Sequence, residues 1–227
     1  MDSMNDEIHL MQSTKDQCVP GIVIVRDILS KDEQLQLINI IHDADGFKDI
    51  NGNWNFFGRR GRRFNNLDKY DEFVKLCMQR IKQTVEELDS TLIWPPFTHM
   101  LTLWYPDSKG IAWHVDQYGG NDGDAGAPVY SLTLGNSCIF EYKLVGTKKK
   151  ISVELHSGDI IVFGGPQRLM YHSVKSIKMG SFTLKENFDA RINLTLRTCT
   201  GFTEEDETKY QTDVYVARII ENKNNKQ

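Results

Sequence analysis

The stretch "ARINLTLRT", residues 190–198, decides how this chain is read. Ile192, Leu194 and Leu196 alternate with Arg191, Asn193, Thr195 and Arg197. Successive side chains of a β-strand point to opposite faces, so the two sets separate cleanly. The apolar face must meet a core. The polar face lines up two guanidinium groups with an amide and a hydroxyl between them. Two arginines turned inward are costly unless they meet anions. A pair on one face can clamp the two ends of a small dicarboxylate, because guanidinium makes two parallel hydrogen bonds that lysine cannot copy. The competing reading is the solvated outer face of an edge strand, and without further residues it is the better one.

Working outward, the hydrophobic period is two from about residue 98 onward. Strands are expected at 100–105, 111–116, 129–135, 137–143, 150–155, 159–165, 171–174 and 191–199, separated by "YPDSKG", "GNS", "LVGTKK" and "HSGD". Before them "GIVIVRDIL" (21–29) reads as a strand and 30–44 as a helix, with Ser30 and Glu33 in capping-box positions. Residues 68–89 read as a longer helix, with Phe73, Cys77, Ile81, Val85 and Leu88 as its apolar stripe. The fold class is α+β, mainly β: a two-sheet barrel or sandwich with helices buttressing one face.

Composition narrows the class further. With 227 residues, 40% of them hydrophobic, the chain supports one sizeable core. No stretch has the roughly 18 apolar residues of a membrane span, and the acidic, polar start does not read as a signal peptide. An intracellular location is expected, with nucleus and cytoplasm not distinguished. Cys18, Cys77, Cys138 and Cys199 show no zinc spacing and read as free thiols. The net charge of −4 gives no global nucleic-acid footprint. The charge is uneven, however: "FFGRRGRRF" (56–64) packs four arginines among three phenylalanines.

His114 and Asp116 stand two apart in "WHVDQY", so on a strand both face one point. A third ligand completes a two-histidine, one-carboxylate triad that leaves open positions on Fe(II). His172 lies on a later strand and can serve. H-x-D alone is a weak signal, since such a pair often caps a turn, and His9, His42, His99 or His156 could also supply the third ligand. The arginine strand raises the weight of the metal reading.

Together these residues resemble the AlkB family of Fe(II)- and 2-oxoglutarate-dependent dioxygenases. The family pattern is H-x-D, a distant H, then R-x-N-x-T-x-R. Here it reads His114–Val115–Asp116, His172 and Arg191 through Arg197, flanked by "APVYSLTLGNSCIFEY" (127–142) and "LHSGDIIVFGGPQRLMYHSV" (155–174). The resemblance implies a double-stranded β-helix, or jelly roll, with N-terminal helices packed on one sheet. It implies a flexible N-terminus (1–20), helices and a substrate lid (21–97), a catalytic core (98–202) and a C-terminal tail (203–227). It implies Fe(II), 2-oxoglutarate and O2 as cofactor and co-substrates. His114, Asp116 and His172 would hold iron. Arg191, helped by the Tyr105 hydroxyl, would take the distal carboxylate, with Asn193 and Arg197 near the chelating end. His114, Asp116, His172 and Arg197 form the expected catalytic set. Two departures stand out. Leu103 occupies a position where the family commonly has asparagine. Tyr118 stands where the bacterial repair enzymes carry an acidic base-reading residue.

The implied reaction is oxidative N-demethylation of alkylated bases in DNA or RNA, releasing formaldehyde, succinate and CO2. A methyl group on a base edge is out of reach inside a duplex, so the substrate must be single-stranded or flipped out. Trp54 and Phe57 offer stacking faces and Arg59, Arg60, Arg62 and Arg63 offer cations, with Tyr118 as a further stacking candidate. The chain is expected to act as a monomer, away from membranes. Two other readings differ in kind: a same-fold dioxygenase acting on a protein or other non-nucleic-acid substrate, and a silent binding module. The acidic overall charge leans toward the former; the clustered arginines lean against it.

Overall fold

A computed structural model describes residues 19–43, 61–116 and 126–206, with backbone alone at 42–43 and 61–63. Among these residues ten strands form two antiparallel sheets. The larger has the order β1 (Ile22–Val25), β8 (Ile160–Phe163), β5 (Val129–Gly135), β10 (Arg191–Arg197), β3 (His99–Tyr105) and β2 (Gly61–Asn66). The smaller has the order β4 (Lys109–His114), β9 (Tyr171–Ile177), β6 (Cys138–Lys143) and β7 (Lys150–Leu155). From β3 onward the chain passes back and forth between the two sheets in the jelly-roll manner, except at the β6–β7 hairpin, which stays in the smaller sheet.

Strand β10 sits inside the larger sheet, paired along its length with β3 and β5, and all seven of its residues are buried. The solvated edge-strand alternative is therefore excluded. Its apolar side joins a core of Ile192, Leu194 and Leu196 with Met100, Leu132 and Ile160 from neighbouring strands. The same core takes in Leu37, Ile38 and Ile41 of α1 (Lys31–Asp43) and Val74, Met78 and Ile81 of α2 (Glu72–Leu88). Its other side looks into the space between the sheets, where Tyr105, Phe140, Tyr142 and Phe163 form a second core.

Local chemistry sets the helix starts. The Ser30 hydroxyl accepts from the Glu33 amide at 3.3 Å and the Glu33 carboxylate accepts from the Ser30 amide at 2.8 Å, a reciprocal box. Asp71 caps α2 by accepting from the Val74 amide at 3.0 Å. The buried stripe of α2 is Val74, Cys77, Met78, Ile81 and Val85. Leu88, expected on it, is exposed. Gly158 has φ +89° in the β7–β8 turn, and a Cβ there would lie 2.4 Å from the Gln34 amide of α1. Glycine thus lets α1 close on the barrel.

Two elements depart from the strand expectations. Gly61–Asn66 is a strand, β2, pairing with β3, where the sequence suggested no strand. β4 ends at His114, so Asp116 lies two residues beyond it. The register slips between Ile111 and His114. The Asp116 carbonyl accepts from Arg168 Nη1 at 2.6 Å instead of from a neighbouring strand.

Candidate active site

The smaller sheet brings two imidazoles together. His114 and His172 are cross-strand partners, with ring centroids 4.3 Å apart. Each ring places Nδ1 against the carbonyl two residues earlier: His114 on Ala112 at 2.8 Å and His172 on Met170 at 3.1 Å. A donor Nδ1–H leaves each Nε2 with its lone pair directed into the site. Asp116 Oδ1 lies 3.6 Å from His114 Nε2 and 3.9 Å from His172 Nε2, and one ligand atom from each of the three falls within 4.8 Å of the others. Two neutral nitrogens and one carboxylate on one side suit a ferrous ion with open positions.

Electrostatics prepare these ligands. Burial pushes the His172 imidazole down to about 4, the Asp116 charge only partly opposing it, so at neutral pH the ring is in its ligating form. Burial works against ionisation of Asp116, but the Arg197 charge and hydrogen bond and the two histidines outweigh it, holding the carboxyl well below the usual range. Arg197 Nη2 donates to Asp116 Oδ2 at 2.8 Å. One arm of Arg197 thus holds the metal-site carboxylate, a partner that the strand face alone does not give.

At the other end of β10, Arg191 is 1% exposed. Its Nη2 donates to Thr133 Oγ1 at 3.0 Å and to Asn193 Oδ1 at 2.7 Å, and its guanidinium carbon lies 4.9 Å from the Tyr105 ring centroid. Its Nε and Nη1, like those of Arg197, are buried with no hydrogen-bond partner. Unpaired guanidinium donors in a buried site fit a carboxylate, which satisfies two of them at once. A cavity of about 310 Å³ runs between the sheets from the triad past Ser131, Asn193 and Thr195 to Tyr105.

Sequence reasoning missed three residues. Ser131 donates to Asn193 Oδ1 at 2.9 Å, and Thr133 receives Arg191. Both alternate with apolar residues on β5 as the polar set does on β10, a signal available in "VYSLTLG". Arg168 donates from Nε to the Ala127 carbonyl and from Nη1 to the Asp116 carbonyl, both at 2.6 Å. Nothing in its sequence context marks it. Leu103, the departure from the family pattern, lines the cavity and pairs with Asn193 across the β3–β10 register. Trp54, Phe57, Arg59, Arg60 and Tyr118 lie outside the described residues. Arg62 and Arg63 lie on β2, their side chains outside the description.

With this geometry in hand, the family model of the 2OG-Fe(II) oxygenase superfamily matches residues 51–197. The chain belongs to that superfamily. Within it the chain is similar to proteins of the AlkB kind. It is 32% identical over 105 residues to the alpha-ketoglutarate-dependent dioxygenase AlkB of Escherichia coli, covering 45% of each chain. It is 28% identical over 120 residues to the tRNA demethylase abh1 of Schizosaccharomyces pombe, covering 51% of this chain and 37% of that one. The matches thus span less than half the length of these relatives. Among solved structures, OsALKBH1 superposes with a TM-score of 0.61 at 21% identity over 81% of this chain and 100% of that chain, a likeness of fold. As a 2OG-Fe(II) oxygenase the chain calls for iron, 2-oxoglutarate and O2, and the donor set and buried guanidinium donors fit the first two.

Proposed function

We propose that this 2OG-Fe(II) oxygenase removes N-methyl groups from bases of DNA or RNA. The observation that carries the chemistry is the β10 face, with two buried arginines bearing unpaired donors beside a cluster of two imidazoles and a carboxylate. The nucleic-acid substrate is supported by the AlkB-like relatives, one of them named a tRNA demethylase.

In this reading His114, Asp116 and His172 hold iron, and Arg191 with Tyr105 takes the far carboxylate of 2-oxoglutarate. When bound, iron and 2-oxoglutarate let O2 oxidise a methyl C–H bond, one oxygen atom going to succinate as CO2 leaves and the other to the methyl carbon. The product N–CH2OH loses formaldehyde and returns the base N–H. The chain's own share is orientation and insulation. Carbonyls of Ala112 and Met170 fix the imidazole tautomers, Arg197 keeps Asp116 ionised, and Phe140 and Phe163 flank His172 and keep water away. The substrate is single-stranded or flipped out, since duplex bases hide their edges. Trp54, Phe57, Arg59, Arg60, Arg62, Arg63 and Tyr118 are assigned to it on their aromatic faces and cations. The enzyme acts as a monomer inside the cell, a setting consistent with free buried thiols at Cys77, Cys138 and Cys199.

Mass spectrometry of a panel of methylated oligonucleotides incubated with Fe(II), 2-oxoglutarate and ascorbate tests this. Loss of 14 Da, the mass of one CH2, from one methylated base with matching formaldehyde and succinate supports it. Succinate formation with no change in any nucleic acid would move the substrate to another class.

A further inference from the structure

The outer face of the smaller sheet carries a cluster that this chemistry does not use. Trp113 precedes His114 and Tyr171 precedes His172, so each ring faces away from its metal-site neighbour. The two rings stack, with centroids 5.7 Å apart and planes 13° apart. Lys143 of β6 is the register partner of Tyr171, and its Nζ lies 4.8 Å from the Trp113 centroid. Lys150 of β7 is in turn the register partner of Lys143. A row therefore crosses all four strands: ring, ring, ammonium, ammonium.

Three observations set this row apart from ordinary surface. The large apolar side chains exposed among the described residues are Leu76, Leu88, Ile93, Val145, Leu169 and Tyr171; the last belongs to the row, and Val145 and Leu169 stand two residues from Lys143 and Tyr171 in sequence. Val145 is tied to this end of the sheet by its amide, which donates to Gln167 Oε1 at 2.9 Å. The same end is basic. Lys148, Lys149 and Lys150 are exposed, and Lys150 and Lys175 share Glu141 at 3.2 and 3.8 Å. The chain as a whole carries a net charge of −4, so positive charge is concentrated against the average. Finally, the row lies level with the His114–His172 pair, one sheet thickness from the triad.

We propose that this row is a shelf for the single-stranded nucleic acid next to the nucleotide in the cavity, a base stacking on Tyr171 and phosphates running past Lys143 and Lys150. The inference rests on the nucleic-acid reading above and adds a contact surface to it. A flat aromatic pair beside ammonium groups matches a strand that offers a π-face and a phosphate at every step. An acidic peptide offers only the charge.

The test is fluorescence anisotropy of a labelled 15-nucleotide oligo-dT titrated with the full chain at several salt concentrations. Tyr171→Ala should weaken binding about tenfold, and Tyr171→Phe, which keeps the ring, should restore it to within about twofold. Lys143→Gln should lower the log–log salt slope by about 0.7. Mn(II) affinity should be unchanged in all three variants. Binding by the wild type that ignores Tyr171→Ala and Lys143→Gln overturns the shelf and leaves the demethylase reading intact. So does a poly-glutamate peptide that competes as well as the oligonucleotide. If the wild type binds no oligo-dT the shelf is also overturned, and turnover of methylated nucleosides, which need no shelf, separately decides the demethylase reading.

Discussion

Replacing Arg191 with methionine separates co-substrate binding from folding. In the free protein the substitution loses two bonds from a charged donor, to Thr133 and Asn193, worth roughly 1.5–3 kcal/mol each. It also removes two buried donors, Nε and Nη1, that have no partner, each costing roughly 1–3 kcal/mol. Methionine fills much of the same space against Tyr105. The terms nearly cancel, so stability without co-substrate should change by no more than about 2 kcal/mol, or a Tm shift within about 8 °C for a chain of this size.

With 2-oxoglutarate the two proteins diverge. At a hundred times its Kd, 2-oxoglutarate stabilises the wild type by about 2.7 kcal/mol and raises Tm by about 5–10 °C. Losing a bidentate, charge-assisted pair of about 3 kcal/mol weakens binding roughly a hundredfold. The same concentration then equals the Kd of the variant, and stabilisation falls to about 0.4 kcal/mol, or about 1 °C. Thermal unfolding with Mn(II), under nitrogen, with and without 2-oxoglutarate reads both numbers. Arg191→Lys, which keeps charge but cannot fork, should fall between. A full 2-oxoglutarate shift in Arg191→Met would refute the carboxylate assignment. A loss above about 4 kcal/mol without co-substrate would refute the claim that two of the three guanidinium nitrogens are unpaired.

Arg168→Lys keeps a charge but cannot reach both the Ala127 and Asp116 carbonyls; Mn(II) affinity, measured by calorimetry, should drop about tenfold with the fold retained. Ser131→Ala removes one of the donors fixing Asn193 and should raise the 2-oxoglutarate KM about fivefold, equivalent to about 1 kcal/mol, with kcat little changed. The Arg80 hydrogen bond, partly opposed by burial, brings the Glu33 pKa down to about 2 from 4.5. A depressed carboxylate stabilises the fold above its unfolded pKa and loses that contribution as pH falls through the folded one. Glu33→Gln should therefore cost about 1 kcal/mol in urea unfolding at pH 7, and the gap to the wild type should close between about pH 4.5 and 2.

What was legible in the sequence was what local periodicity writes. The alternation in β10 gives its two faces and their two chemistries, because a strand cannot hide which residues share a face, whereas the burial of the polar face comes from pairing with β3 and β5. The Ser30–Glu33 box is equally local. β2 was not legible: "GRRFNN" shows charge and a glycine, and its strand character comes from pairing with β3, distant in sequence. The H-x-D motif named residues that the fold does bring together with His172, but on the wrong backbone, since Asp116 is held beyond its strand by Arg168, a contact between residues 52 apart. Arg197 illustrates the same limit. Its face was readable, but its partner, Asp116, lies 81 residues away.

That partner makes Asp116 the tie between the sheets. His114 and His172 come from the smaller sheet, Arg197 from the larger, and the Asp116 carboxylate touches all three. Loss of activity in Asp116→Asn is thus ambiguous, because it removes a ligand and also leaves Arg197, 5% exposed at its side chain, without its counter-charge. Breaking one side of a buried pair costs roughly 3–5 kcal/mol, whereas replacing both sides with neutral groups of similar size is often close to neutral. Asp116→Asn should unfold at clearly lower urea, and Asp116→Asn with Arg197→Met should recover most of that loss. Mn(II) binding should stay absent in both, because the amide is a poor substitute for the anionic ligand. If the double variant regained metal as well as stability, Asp116 would be a structural counter-ion, and the third ligand would have to be sought elsewhere.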